Sequence, residues 1–449
     1  GLKSGFFVHV NGMFAWRLTK ILFLKGVYMN HSLKTIELLK NGKLTAARQE
    51  FGRALQQDTP DDLYHLAEEL YLLGFSDLAA QAYKNLLQKF PDEDLLKVAL
   101  ADLAVDQGKD DEALNYLAAI QPTSDAYLNA LLVAADLYQT QGLFEVSEQK
   151  LLAAQRIAPT EEAVTFGLAE LYFNMKEYHK ALKLYLQLVK EGSATVAGVH
   201  LVKRLAQVSA DAGKLEQALG YFEQVSEADF DPDTRFQLAF TQFQLKDYEG
   251  AIKNFKKLAA AQSDYTTLYP YLGRAYEGQG LLQEALEAFK QGLRYDEYNI
   301  KLYQEASNVS LKLQQPQAAE DYLKKALELE PDNLTLVIEL SNLLLSRQRY
   351  QETIDFLSMF LQADEVDPQL YWNMGQAYNA LEKEQDAFAN YQAAAASFSD
   401  NPDFLREFAF VSRAAGHLKK AQENVVAYLK IVPNDLEMQD LKDELFSQF

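Results

Sequence analysis

The chain has 449 residues, 48% hydrophobic and 24% charged, with a formal net charge of −21 and no cysteine. Disulfides and thiolate metal sites are therefore excluded, and no run of about 20 apolar residues is present to form a membrane-spanning helix. An acidic balance disfavours nucleic acid and anionic membrane, which are held through Lys and Arg, and suits a partner with a basic segment.

Residues 1–28 carry Lys3, Arg17, Lys20 and Lys25 and no acid. His9, Asn11, Arg17 and Lys20 interrupt the apolar run that a signal peptide needs, and no small-residue cleavage pattern follows. A membrane-surface or capping helix is one alternative. The other comes from the genetic code. "KGV" (25–27) ahead of "YM" can be encoded AAA-GGA-GTN, a bacterial ribosome-binding sequence just upstream of the Met29 codon. On that reading Met29 is the natural start and residues 1–28 are a translated leader.

From Met29 onward the sequence is periodic. "LAELYFNMKEYHKALKLYLQLV" (168–189), "LGRAYEGQGLLQEALEAFKQGL" (272–293) and "MGQAYNALEKEQDAFANYQAAA" (374–395) share one pattern. Leu or Met precedes a small residue, an aromatic follows three on, and a later small residue is followed four on by another aromatic. Ala181, Ala285, Ala319, Ala387 and Ala421 set the register, which places unit starts near 28, 60, 94, 128, 162, 199, 232, 266, 300, 334, 368 and 402. The common interval is about 34 residues, and the exceptions run from 28 to 60, from 162 to 199 and from 199 to 232. Each unit holds two amphipathic segments of about 13–15 residues, marginal as isolated helices, so they must pack. Gly42, Gly74, Gly108, Gly142, Gly213, Gly280 and Gly416 are expected where the first helix ends in a left-handed residue. Asp61, Asp92, Thr160, Asp233, Asp332, Asp403 and Asn434 are expected to cap helix starts. Small residues at Ala169, Ala239, Gly273 and Gly375 let helices approach, with Tyr172, Tyr276 and Tyr378 filling the space beside them.

The longest interval, from 162 to 199, ends in "EGSATVAGVH" (191–200), where Gly192, Ser193 and Gly198 predict a longer loop. It is either a tolerated insertion or a bend between five units (29–198) and seven (199–435). In residues 436–449, Met438, Leu441 and Leu445 form one apolar stripe, which predicts a terminal capping helix.

This pattern resembles the tetratricopeptide repeat family, whose unit is a helix–turn–helix of about 34 residues. Pro91, Pro159, Pro331 and Pro433 match the family's turn proline, which other units lack. The resemblance implies an all-α, right-handed α-solenoid of about twelve units with a C-terminal capping helix. It also implies that the first helix of each unit lines a concave groove through repeat positions 2, 5, 9, 12 and 13. Carried over, the groove residues are Tyr64, Glu68 and Tyr71; Asp102, Asp106 and Asp136; Phe166, Glu170 and Phe173; Phe236, Phe240 and Phe243; and Arg274, Asn308, Asn342, Trp372 and Gln376.

Each group has two readings. The three phenylalanines 236, 240 and 243 either anchor a ligand's apolar side chains or are buried by the array itself. Asn308 and Asn342 either bond the backbone of an extended peptide or are ordinary polar surface. The acids either welcome a basic segment or supply solubility charge. Family members that clamp a C-terminal carboxylate use groove Lys and Asn where this chain has Glu68, Asp102 and Glu170, which argues against that mode. Peptide-pheromone receptors carry a DNA-binding domain ahead of such repeats, and none separates Met29 from the first unit. The pattern is most similar to cytosolic tetratricopeptide proteins of Gram-positive bacteria, so a cytoplasmic location is expected.

Catalytic signatures are weak. "EGQG" (277–280) lacks the third glycine and preceding strand of a dinucleotide site. Asp229, Asp231 and Asp233 have calcium-loop spacing, but Thr234 replaces the required glycine and Phe240 the bidentate glutamate. The six histidines are never paired at i,i+3 or i,i+4. The expected function is a non-enzymatic scaffold without cofactor or metal that binds a protein or peptide segment. The alternatives are an intracellular peptide sensor and a regulatory subunit of an enzyme complex.

Overall fold

The computed structural model describes residues 30–361 and 366–447; the leader expected at 1–28 lies outside the described residues. The chain divides into two compact units, ending at Leu245 and beginning at Lys246. The five-plus-seven division expected from the long interval is a different partition.

The first unit stacks six helical hairpins. These are α1 (His31–Lys40) with α2 (Leu44–Gln57), α3 (Pro60–Leu72) with α4 (Ser76–Lys89), and α5 (Asp94–Asp106) with α6 (Asp110–Ala118). Then come α7 (Tyr127–Thr140) with α8 (Phe144–Ile157), α9 (Glu162–Asn174) with α10 (Tyr178–Lys190), and α11 (Leu201–Asp211) with α12 (Leu215–Phe222). Helix α13 (Pro232–Gln244) closes this unit and α14 (Tyr248–Ala261) opens the second. The second unit continues with α15 (Leu268–Gly278) and α16 (Leu282–Tyr295), α17 (Ile300–Lys312) and α18 (Pro316–Leu329), and α19 (Leu334–Ser346) and α20 (Tyr350–Leu357). It ends with α21 (Pro368–Ala380) and α22 (Glu384–Ala394), α23 (Pro402–Ala414) and α24 (Leu418–Ile431), and the single helix α25 (Leu436–Ser447). First helices thus begin within about three residues of the starts read from the repeat register. Within each unit the architecture is the expected all-α stack of helix pairs of the solenoid class, with a terminal helix after the last pair.

Every first helix ends in a left-handed residue. The seven expected glycines have φ between 66° and 81°, and Lys176, Lys246, Gln314, Gln348 and Glu382 take the same place at 57–61°. The carbonyls of the last turn are closed identically in both cases: Gly42 N donates to Leu39 O and Lys43 N to Leu38 O, as Lys176 N does to Phe173 O and Glu177 N to Tyr172 O. A glycine is thus favoured at this turn and not obligatory.

The capping residues differ from expectation by one or two positions. Thr59 caps α3, Asp231 α13, Asn333 α19 and Asn401 α23, each accepting from a backbone N–H of the first turn. Met438 N donates to Asp435 rather than to Asn434. Glu93 and Glu161, at the starts of α5 and α9, make no side-chain cap, so Asp92 and Thr160 have no such role. The reason is visible in Pro60, Pro232 and Pro402. Proline has no N–H to offer and belongs at the first helical position, so the cap precedes it.

Close helix approach is confirmed, but the filling ring is another one. A Cβ on Gly375 would lie 2.8 Å from the ring of Tyr391, and one on Gly273 would strike the ring of Phe289. These rings come from the second helix of the same hairpin, as does that of the fully buried Tyr185. Tyr172, Tyr276 and Tyr378 stay half-exposed.

The long interval is a miniature hairpin. Thr195–Val196 pairs antiparallel with Val199–His200 across Ala197 (φ 48°) and Gly198 (φ 76°). Two successive positive φ values suit the right-handed twist of so short a ribbon. Val196 is buried with Phe166 and Leu201, so the insertion is docked rather than loose.

Met438, Leu441 and Leu445 bury the stripe of α25 in a cluster with Ala421, Val425 and Tyr428 of α24. Arg413 pairs with Glu444 at 2.9 Å, and Arg406 with Glu437. Both pairs span 31 residues, as Arg274–Glu305 does between two first helices, so α25 occupies a thirteenth first-helix place.

Candidate functional site: the ninth repeat position of the first helices

Counting from the unit starts, the ninth residue is Glu68, Asp102, Asp136 and Glu170 on α3, α5, α7 and α9, Arg274, Asn308, Asn342 and Gln376 on α15, α17, α19 and α21, and Ile36, Gln207, Phe240 and Phe410 on α1, α11, α13 and α23. Four successive carboxylates thus occupy the place in the first unit that a guanidinium and three amides occupy in the second.

In the first unit the carboxylates crowd. Tyr71 Oη donates to Asp106 and, at 3.4 Å, to Asp102. Asp102 is only 8% exposed. Burial pushes its carboxyl well above the usual range, and the negative charges of Asp106 and Asp136 push the same way. Burial, then Asp106, raises Asp136 to about 6. Glu68 is also raised by burial, against the pull of His65 at 3.3 Å. Tyr64 packs edge-on to Tyr83 with centroids 5.6 Å apart, and burial lifts its hydroxyl to about 12. Glu170 is different: Tyr185 Oη donates to it at 2.6 Å and Arg204 Nε lies 2.9 Å away. Arg204 also lies over Phe173, 5.4 Å from the ring centroid.

Phe166 does not belong on an interaction face. At 1% exposure, with its ring 6.1 Å from that of Tyr185, it is core and offers no area to a partner. Phe236, Phe240 and Phe243 form a stacked ladder on α13, with centroids 6.0 and 6.4 Å apart and interplanar angles of 5° and 17°. All three rings are half-buried.

In the second unit most candidate residues are engaged by the next first helix. Arg274 Nε donates to Glu305 at 2.8 Å. Glu407 of α23 accepts from Trp372 Nε1 at 2.7 Å, from Gln376 Nε2 at 3.0 Å and from Tyr391 Oη at 2.7 Å. Asn342 Oδ1 accepts from Asn373 Nδ2 at 2.7 Å, while the Asn342 side chain stays exposed. Asn308 is exposed and makes no side-chain hydrogen bond among the described residues. Sequence reasoning missed Glu305, Glu407 and Arg204. Their signal was a charge or amide about one repeat beyond a complementary one, the spacing at which neighbouring first helices meet.

Among the described residues no group of three or more His, Asp or Glu side chains could hold a metal ion, and no helix is long and apolar enough to cross a membrane.

Two family models described as "YpiA-like, tetratricopeptide repeats" and "YpiA-like, C-terminal tetratricopeptide repeats" match residues 139–193 and 368–435. The chain is 32% identical over 412 residues to the TPR repeat-containing protein YpiA of Bacillus subtilis, covering 92% of this chain and 96% of that protein. The chain belongs to the YpiA-like tetratricopeptide repeat family. General tetratricopeptide models also match 236–300 and 310–377 within this YpiA-like chain. Tetratricopeptide repeat protein 21A of Mus musculus is 24% identical over 270 residues, which span 57% of this chain and 20% of that protein. Among solved structures, Cut9 with Hcn1 aligns over 92% of this chain and 95% of that one at 12% identity and a TM-score of 0.35. YrrB, described as a TPR protein with an unusual peptide-binding site, aligns over 41% of this chain and 95% of that one at 18% identity and a TM-score of 0.36.

Proposed function

We propose that this YpiA-like chain is a non-enzymatic cytoplasmic scaffold that takes a protein or peptide segment along its first-helix face. The observation that carries this reading is the exposure of Asn308 and Asn342 at one repeat position of successive units, with their neighbours Arg274 and Gln376 already engaged. A carboxamide offers both a donor and an acceptor, which matches the N–H and C=O of an extended backbone and makes little demand on its sequence. The carboxylates of the first unit suit a basic stretch in the same partner or in a second one. The stacked phenylalanines of α13 add apolar area for anchoring.

The test is capture on the immobilised full chain, followed by mass spectrometry, with a Phe240→Ala/Asn342→Ala chain alongside. Recovery of one stoichiometric protein by the native chain alone supports the scaffold. Equal recovery by the folded double variant removes the proposed face, a co-purifying short peptide replaces the scaffold with a peptide sensor, and turnover by the isolated chain contradicts it.

A further inference from the structure

The carboxylates of the first unit have a consequence that needs no partner. We infer that α5 and α7 form a proton-responsive joint, in which Asp102, Asp106 and Asp136 repel one another at neutral pH and tighten the two helices when they share a proton.

The geometry comes from the repeat. Asp102 and Asp136 hold the same repeat position in successive units, so the packing of α7 on α5 brings like charges to the same face. Asp106 is four positions beyond Asp102 on α5, one turn along that face. Asp102 is 8% exposed, so water screens it poorly, and the Tyr71 hydroxyl, with one proton, serves both Asp102 and Asp106.

Other titratable groups surround the joint. From α3 come Glu68, held by His65, and Tyr71; from α4, Tyr83 and Lys84, the latter paired with Glu112 of α6 at 2.8 Å. On α8, Glu148 accepts from Tyr172 at 2.7 Å. On α9, Glu170 is taken by Tyr185 and Arg204. The influences on Asp102 are burial, Asp106, Asp136 and the Tyr71 hydroxyl, and those on Asp136 are burial and Asp106. A basic side chain beside these carboxylates would relieve the same repulsion, yet the joint works with protons alone.

The direction follows from the raised carboxyls. Asp136 moves from 3.8 to about 6 in the folded chain. The folded state therefore binds protons more readily than the unfolded one. The part of the repulsion that Asp136 carries is absent below about pH 4, grows as pH rises, and is present above about 6; Asp102, raised by burial as well, responds in the same direction.

The experiment is amide hydrogen exchange on the full chain at about pH 5 and pH 7.5, with rates normalised to their intrinsic values. The opening constant of amides in α5 and α7 should rise by about tenfold between the two pH values, since a carboxyl moved from 3.8 to about 6 already has part of its full difference of about 100-fold in place at pH 5. Amides in α15 and α16 should not change. Asp136→Asn should hold α5 and α7 at the higher pH as the native chain holds them at the lower, and Asp106→Asn, at an exposed position, should act in the same direction. Protection in α5 and α7 that is equal at both pH values overturns the inference. So does a pH response that survives intact in both variants.

Discussion

The two units of this chain use one repeat position in opposite ways. In the first, position nine gives Glu68, Asp102, Asp136 and Glu170 in four successive units, and the middle two have their carboxyls raised by burial and by neighbouring acids. In the second, position nine gives Arg274, Asn308, Asn342 and Gln376, and three of these four bond to groups on the next first helix. The same helical register thus carries different side chains in different settings: Asp102 is buried, whereas Asn308 and Asn342 are exposed. A solenoid sets the spacing of its first helices by hydrophobic packing, which leaves this position free to latch neighbours together, push them apart or face a ligand.

The largest effect should come from unlatching the second unit. Glu407→Ala leaves Trp372 Nε1, Gln376 Nε2 and Tyr391 Oη without their acceptor, and Tyr391 is almost fully buried. A loss of about 3 kcal/mol is expected in urea unfolding of the full chain. Glu320→Gln acts off the face, in a carboxylate 1% exposed and paired with Lys324, Arg347 and Arg349. Because these cations keep access to water, the same measurement should show a loss of about 2 kcal/mol.

Relieving the first unit should have the opposite sign. Asp136→Asn is expected to stabilise the chain by about 2 kcal/mol near pH 7.5 and to have no such effect near pH 4, where the native carboxyl is already protonated in the folded state. Stabilisation that persists unchanged at the lower pH would assign it to packing instead.

The turns supply a smaller contrast. At the left-handed turns that end first helices, the first unit has glycine at five of six, at 42, 74, 108, 142 and 213 but not 176, and the second at only two of six, 280 and 416. Gln314→Gly and Gln348→Gly should each stabilise the second unit by about 0.5–1 kcal/mol by removing left-handed strain, and Gly142→Gln should cost the first about 1 kcal/mol. Thermal unfolding reads both.

Much of this is legible in the sequence. The alanines at 181, 285, 319, 387 and 421 are fully buried and mark the hairpins that their spacing predicts. The stripe of α25 is buried as its spacing requires. The five turns without glycine leave no local signal, since the flanking hydrogen bonds hold them rather than their own residue type. Phe166 is core and not groove because its burial is set by Tyr185 and Val196, on other elements, and not by its own repeat position. The acceptor role of Glu407 is hidden because its three donors come from 35, 31 and 16 residues earlier, on two helices. Which candidates are engaged and which are exposed is a property of neighbours, so only the structure separates Asn308 from Gln376.

Asn308→Ala should change stability by less than about 0.5 kcal/mol, as expected at an exposed position without a side-chain hydrogen bond, and Asn342→Ala should cost about 1 kcal/mol because it removes an acceptor of the buried Asn373 amide, a loss that leaves the chain folded. The deciding measurement is capture by the folded double variant against the native chain, quantified on the same captured protein. The native chain should retain it and the double variant should lose it by about tenfold or more, at about 1.4 kcal/mol per factor of ten. Equal retention by both would contradict the proposed use of this face.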